Sequence, residues 1–181
     1  YGGGEIRHNL VFANADGIDA GDGVAADANR VFANTDDGIT ADGSATITRN
    51  TVFDNARGIV LDGYRDTATA TNNLVYDHGE AGIHVVGGTA RNLAYNTVYE
   101  PTAEAVIVES GAENVALSSN ILVADAAPAL VVDASSQSGF ASDHNLFAGA
   151  GPVGVWQNTT AATLADWRGA TFTDALSLEA D

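Results

Sequence analysis

A chain of 181 residues carries 24 acidic side chains against 7 basic ones, a formal charge of −17. That is long enough for one sizeable domain and too acidic to favour a phosphate backbone or an anionic lipid surface. All seven basic residues are Arg and there is no Cys, which excludes a lysine base, a disulfide or a thiolate site. No apolar run reaches the ~18 residues of a membrane span, so membrane insertion is not expected. Ala, Val, Gly, Asn, Thr and Asp dominate, a composition suited to short strands and tight turns. Residue 1 is Tyr, so a processed chain or a piece of a longer one is expected.

Read from the start, the chain repeats itself. NLVFANADGI (9–18), NRVFANTDDGI (29–39) and NTVFDNARGI (50–59) are near copies, and weaker copies follow. Asn9, Asn29, Asn50, Asn73, Asn96, Asn120 and Asn145 set a register with spacings of 20, 21, 23, 23, 24 and 25 residues. Two positions after each Asn stands Val11, Val31, Val52, Val75, Val98, Leu122 or Phe147. The next position holds Phe12, Phe32, Phe53, Tyr76 and Tyr99 in the first five units. Further on come Gly17-Ile18, Gly38-Ile39, Gly58-Ile59, Gly82-Ile83, Ala105-Val106, Ala129-Leu130 and Gly154-Val155. Each unit holds two or three short β patterns and cannot bury its apolar face alone, so neighbouring units must stack. A leucine-rich repeat would need Leu at several fixed places per unit, and those are missing.

The expected fold is all-β: a right-handed parallel β-helix of about seven rungs over residues 1–158, closed by a short helical or irregular cap at 159–181. In that fold the Val at Asn+2 and the Ile after Gly point inward. The Asn amides form a ladder from rung to rung. The Gly is expected to supply a turn conformation closed to other residues. The aromatic at Asn+3 is outward by alternation, or half-buried at a corner. Thr163–Ala170 reads as a short helix with Leu164 and Trp167 on one face.

These repeats resemble those of the pectate-lyase-like superfamily of parallel β-helices. The resemblance covers roughly residues 5–158 and implies polysaccharide lyases, uronan epimerases, pectin hydrolases, phage tailspikes or bacterial surface proteins as relatives. Asn14-Ala-Asp and Asn34-Thr-Asp-Asp37 are similar to the Asn-Thr-Asp and Asp-Asp motifs of polygalacturonases, and Asp-His78-Gly is faintly similar to their Gly-His-Gly. The Arg-Ile-Lys motif of that family is absent.

Stacking makes neighbours of same-column residues. Asp16, Asp37 and Arg57 fall in one column, with Asp36 beside it. Paired carboxylates next to an Arg suit acid–base work on a sugar, or Asp16 and Asp37 bridge a calcium ion; the bland alternative is a solvated turn with one ion pair. A lyase or epimerase needs a base and a cation, for which His78 or His84 is available as the base and Arg57 or Arg65 as the cation. The outward column one residue after the inward Ile turns apolar at Val60, Ile107, Val131 and Trp156. It predicts a covering partner: the tail, a neighbouring domain or another copy.

Two functions follow. The first is a non-catalytic β-helix module of a large, secreted or cell-surface, prokaryotic protein: a rigid stalk or assembly unit in contact with carbohydrate. The second is an enzyme acting on uronic-acid polymers through Asp16, Asp36, Asp37, Arg57 and His84. No cofactor is required by either, calcium being the one candidate.

Overall fold

The computed structural model describes residues 3–63 and 67–180. The chain winds as a parallel β-solenoid of about six turns, close to the seven units counted in the sequence. Three sheets run the length of the rod. Among the described residues sheet A has seven strands, from Glu5–Arg7 to Ala141–Asp143, and sheets B and C have eight each. Sheet B begins at Leu10–Phe12 and sheet C at Ile18–Ala20. All pairings are parallel except the last in sheet C, where Thr159–Ala161 turns back antiparallel on Gly154–Trp156.

Most strands are only three residues long, because alternation sends just one or two side chains per strand inward. Val11, Val31, Val52, Val75, Val98, Leu122 and Phe147 stack in register as the inner column of sheet B. Sheet C contributes two inner columns: Ile18, Ile39, Ile59, Ile83, Val106 and Leu130, and then Ala20, Ala41, Leu61, Val85, Val108 and Val132. From the second rung on, nearly all of these side chains are sealed from solvent.

Sheet B is bounded on each side by a corner that ordinary residues take in the left-handed region. His8, Ala28, Arg49, Asn72, Tyr95, Ser119 and His144 precede the register Asn with φ between 52° and 60°. Ala13, Ala33, Asp54 and Asp77 follow the aromatic with φ of 53–60°. Such a bend leaves backbone donors without strand partners, and the ladders satisfy them. The Oδ1 of Asn50, for example, accepts from both the backbone N–H (2.9 Å) and the Nδ2 (3.0 Å) of Asn29, while its own Nδ2 donates to the Ala26 carbonyl (2.9 Å). The same pattern repeats through Asn73, Asn96, Asn120 and Asn145.

The repeat glycines need no special φ. At Gly17, Gly38, Gly58 and Gly82 a Cβ would lie within 2.7 Å of a Val Cγ1 in the next rung and would collide with that rung's backbone carbonyl. Close approach between rungs, not turn conformation, is the reason for Gly at this position.

The tail carries one short C-terminal helix and packs against the last rung. The helix Leu164–Thr171 opens on a capping box between Thr163 and Asp166 and buries Leu164 and Trp167. Ser177 Oγ takes the place of a further ladder residue, accepting the Asn145 N–H at 2.8 Å, and Asp174 accepts from Asn145 Nδ2 and from Trp167 Nε1. The strand Leu178–Ala180 then pairs with Leu146–Ala148.

One register expectation is corrected. Gly154, not Val155, stands opposite Leu130, so Trp156 falls in the inner column opposite Val132. Gly fits there because the Trp167 ring and the Leu130 carbonyl occupy the space a Cβ at 154 would need. Trp156 therefore packs against Phe140 (5.6 Å between centroids) and Trp167 (5.9 Å) and is no part of an outer stripe.

Candidate functional site

Stacking brings Asp16, Asp36, Asp37 and Arg57 together, at the turn that leads into sheet C. One carboxylate oxygen from each Asp lies within 4.8 Å of the others. The Arg57 guanidinium closes the cluster: its Nε is 2.6 Å from Asp37 Oδ1, and its Nη2 is 3.0 Å from Asp37 Oδ2 and 3.5 Å from Asp36 Oδ1. Asp37 is nearly buried and also accepts from the Thr40 hydroxyl at 3.2 Å. These carboxylates hold the Arg57 guanidinium above its usual range, against the desolvation that would lower it. Both oxygens of Asp37 are thus engaged inside the cluster, and a cation already pairs with two of the three carboxylates.

His84 lies elsewhere. It occupies the outward column of sheet C between Val60 and Ile107, with Nε2 3.0 Å from Glu109 Oε1. Arg57 is opposite Ala81, so His84 is three residues further along the neighbouring strand, about 10 Å away. The structure gathers the Asp–Arg half of the predicted site but not its histidine. Arg65 lies outside the described residues. In the predicted apolar stripe Val60 is buried, while Ile107 and Val131 are half-buried.

A second ladder went unread in the sequence. Asn14, Asn34, Asn55 and His78 each stand five residues after a register Asn, and that constant offset was the available signal. Asn34 Oδ1 accepts the Asn14 N–H (3.1 Å), Asn55 Oδ1 the Asn34 N–H (3.0 Å), and His78 Nδ1 the Asn55 N–H (3.2 Å). The resemblance of Asn14, Asn34 and His78 to hydrolase motifs is thereby accounted for: their polar atoms hold rungs together.

The ladder closes on Glu100, which sits one place earlier in its unit and reaches back with its longer side chain, Oε2 accepting the His78 N–H at 2.7 Å. His78 and Glu100 are buried, and His78 Nε2 and Glu100 Oε1 have no hydrogen-bond partner among the described residues. Burial pushes His78 down to about 4 and Glu100 up to about 7, so both are neutral near pH 5.5. Where the ladder stops, the unit glycine gives way to Ala105.

The rest of the molecule offers little for a soft metal. His8 and His144 occupy the same corner column in the first and last of seven rungs, six strand spacings or ~29 Å apart. Among the described residues no group of three metal-ligating side chains contains a histidine. None of the described helices is long and apolar enough to cross a membrane.

A laddered, three-sheeted parallel β-helix is the architecture of the pectate-lyase-like proteins. The chain belongs to the family described as periplasmic copper-binding protein (NosD), whose model matches residues 2–150. Among solved structures it is similar to the A-module of mannuronan C-5 epimerase AlgE4 from Azotobacter vinelandii, with 15% identity and a TM-score of 0.62 over 81% of this chain and 46% of that one. It is also similar to the periplasmic alginate epimerase AlgG, with 15% identity and a TM-score of 0.61 over 97% of this chain and 42% of that one. The chain thus spans less than half the length of either, and the likeness concerns the fold alone. No curated protein sequence matches it.

Proposed function

We propose that this chain is a non-catalytic β-helix module of a periplasmic or otherwise extracytoplasmic protein, a rigid rod whose faces contact polysaccharide or other protein surfaces. The observation that carries this reading is the state of the candidate catalytic groups. Asp37 is held through both oxygens by Arg57, and His84 pairs with Glu109 about 10 Å away. Among the described residues no free base stands beside a cation across an open cleft, as proton abstraction next to a carboxylate would require.

The copper named in the family's description does not fit the residues here. Copper selects imidazole and sulfur ligands. This chain has neither Cys nor Met, and its four histidines are scattered, buried or paired. The hard-oxygen cluster of Asp16, Asp36 and Asp37 suits calcium better by ligand type, but Arg57 already neutralises part of its charge.

The alternative is a uronan-active enzyme. It is tested by incubating the protein with alginate, polymannuronate, pectin and polygalacturonate, following unsaturated product, reducing ends and the proton spectrum of the polymer. No turnover is expected. Turnover that disappears in Asp37→Asn or His84→Ala would replace the rod with an enzyme.

A further inference from the structure

Five Asp-Gly pairs punctuate the chain: Asp16-Gly17, Asp22-Gly23, Asp37-Gly38, Asp42-Gly43 and Asp62-Gly63. In such a pair the backbone nitrogen of the Gly can attack the side chain before it, because Gly has no Cβ to obstruct the approach. The fold treats the five differently.

Four are held out of reaction. The Gly17 nitrogen is occupied, its N–H donating to the Asp37 carbonyl of the next rung at 2.9 Å. Asp37 is nearly buried, both its oxygens are held by Arg57, and Gly38 lies inside the strand Asp37–Ala41. Asp22 accepts from the hydroxyl and the backbone N–H of Ser44. These bonds hold its carboxyl below the usual range, in the ionised form that has no hydroxyl to expel. Gly43 is buried against Asp22 of the preceding rung, where a Cβ would lie 2.8 Å from the Asp22 Cα, so that peptide has no room to swing toward the Asp42 side chain.

Asp62-Gly63 stands apart. It closes the strand Arg57–Asp62 of sheet C, at the corner leading to the sheet A strand Thr69–Thr71. One rung on, the equivalent Gly87 N–H stays in the ladder and donates to the Glu109 carbonyl at 2.9 Å. The Gly63 N–H donates instead to Asp62 Oδ1, at 2.6 Å. Gly63 has a φ of 127°, a value that favours glycine, and Nη2 of the fully buried Arg91 anchors its carbonyl at 2.9 Å. Asp62 is exposed, so water reaches it. Nitrogen and carboxyl group are thus held against one another, as an intramolecular condensation requires.

We infer that Asp62 is a self-modification site, at which the folded chain converts aspartate to isoaspartate through a cyclic imide. The Gly63 nitrogen attacks Cγ of the protonated Asp62 carboxyl group. The N–Cγ bond forms, the C–OH bond breaks, and the proton of the nitrogen leaves with the hydroxyl as water. Water then adds to one of the two ring carbonyls. Opening at Cγ restores aspartate. Opening at the main-chain carbonyl carbon of Asp62 leaves isoaspartate, its main chain routed through Cβ and Cγ and lengthened by one methylene. No oxidant, metal or partner takes part. The extra methylene falls where the third rung passes into the fourth, so the modified rod loses the register that sets Asp62 opposite Val86.

The inference is independent of the functional reading above and is tested without an activity. The folded protein is aged in warm, mildly acidic heavy-oxygen water, digested, and fragmented in a mass spectrometer by a method that separates isoaspartate from aspartate. Each ring opening leaves one heavy oxygen at the residue that closed. Label and isoaspartate should accumulate at residue 62 about tenfold or more faster than at 16, 22, 37 or 42. In urea, where the restraints are gone, the five rates should converge. Asp62→Glu, which would need a larger ring, should abolish labelling there. Asp62→Asn should hasten isoaspartate formation, since ammonia leaves more readily than water from the same contact. Equal rates at all five sites in the folded protein, a site faster than 62, no label at 62 by the time the unfolded chain is labelled, or a preference for 62 that persists in urea would each overturn the assignment.

Discussion

Replacing Asn73 with alanine is expected to lower the unfolding free energy by about 3–5 kcal/mol, more than truncation of many core valines. The side chain accepts from the backbone N–H (2.9 Å) and the Nδ2 (3.1 Å) of Asn50 and donates to the Ile47 carbonyl (2.9 Å) and to Asn96 Oδ1 (3.0 Å). All of this happens with Asn73 about 2% exposed. Truncation strands donors on Asn50 and an acceptor on Ile47 where water does not reach, and each buried orphan costs ~1–3 kcal/mol. Asn92→Ala, at an exposed outward position of sheet A, should change stability by no more than about 0.5 kcal/mol. Urea unfolding followed by circular dichroism measures both. A loss below about 1 kcal/mol at Asn73 would mean the ladder contributes geometry without stability.

His78 and Glu100 give the second large effect, visible as pH dependence. The folded state holds His78 neutral down to about 4, so the unfolded chain binds the extra proton as pH falls from 6.5 to 4, and stability is lost in that direction. Glu100 works the other way. It stays protonated up to about 7 in the folded state and ionises near 4.5 when unfolded, so its contribution is full below pH 4.5 and lost as pH rises toward 7. Each shift corresponds to roughly 3 kcal/mol over its window. In the natural chain the two slopes oppose one another between pH 4.5 and 6.5, and stability is nearly flat there. His78→Asn, which continues the column of Asn34 and Asn55, leaves Glu100 alone: stability should fall as pH rises from 4.5 to 7. Glu100→Gln leaves His78 alone: stability should fall as pH drops from 6.5 to 4. Chemical denaturation of the three proteins across pH 4–8 separates these profiles. Two variants that both track the parent would show that neither group is held neutral by burial.

The stacking of the units was legible because it depends on columns. Asn at 9, 29 and 50, an aliphatic two places on and Gly-Ile beyond are a periodic signal that few folds can satisfy. The helix Leu164–Thr171 was legible from Leu164 and Trp167, which fall on one face. Trp156 was misplaced because the column rule fails at the last rung: Gly154 pairs with Leu130 where the Trp167 ring packs, and a contact between distant segments leaves no mark in local spacing. The repeat glycines were found but misread, since a φ argument and a close-approach argument predict the same residue. The second ladder changes residue type at each later rung, from Asn to His to Glu, so it does not look like a column until the register is drawn. Of the candidate site, Asp16, Asp36, Asp37 and Arg57 were correctly brought together by column alone. His84 was not, because position along the strand, rather than column, separates it from Arg57.

Amide hydrogen exchange of the asparagine side chains tests the laddered solenoid most directly. The Nδ2 protons of Asn29, Asn50, Asn73, Asn96 and Asn120 are each bonded within 3.1 Å to the next rung. They are predicted to exchange only as fast as the whole rod opens, alongside the backbone amides of the inner valines, while the Nδ2 protons of exposed Asn92 exchange at the free rate. Free-rate exchange at all six residues would contradict the account at its base.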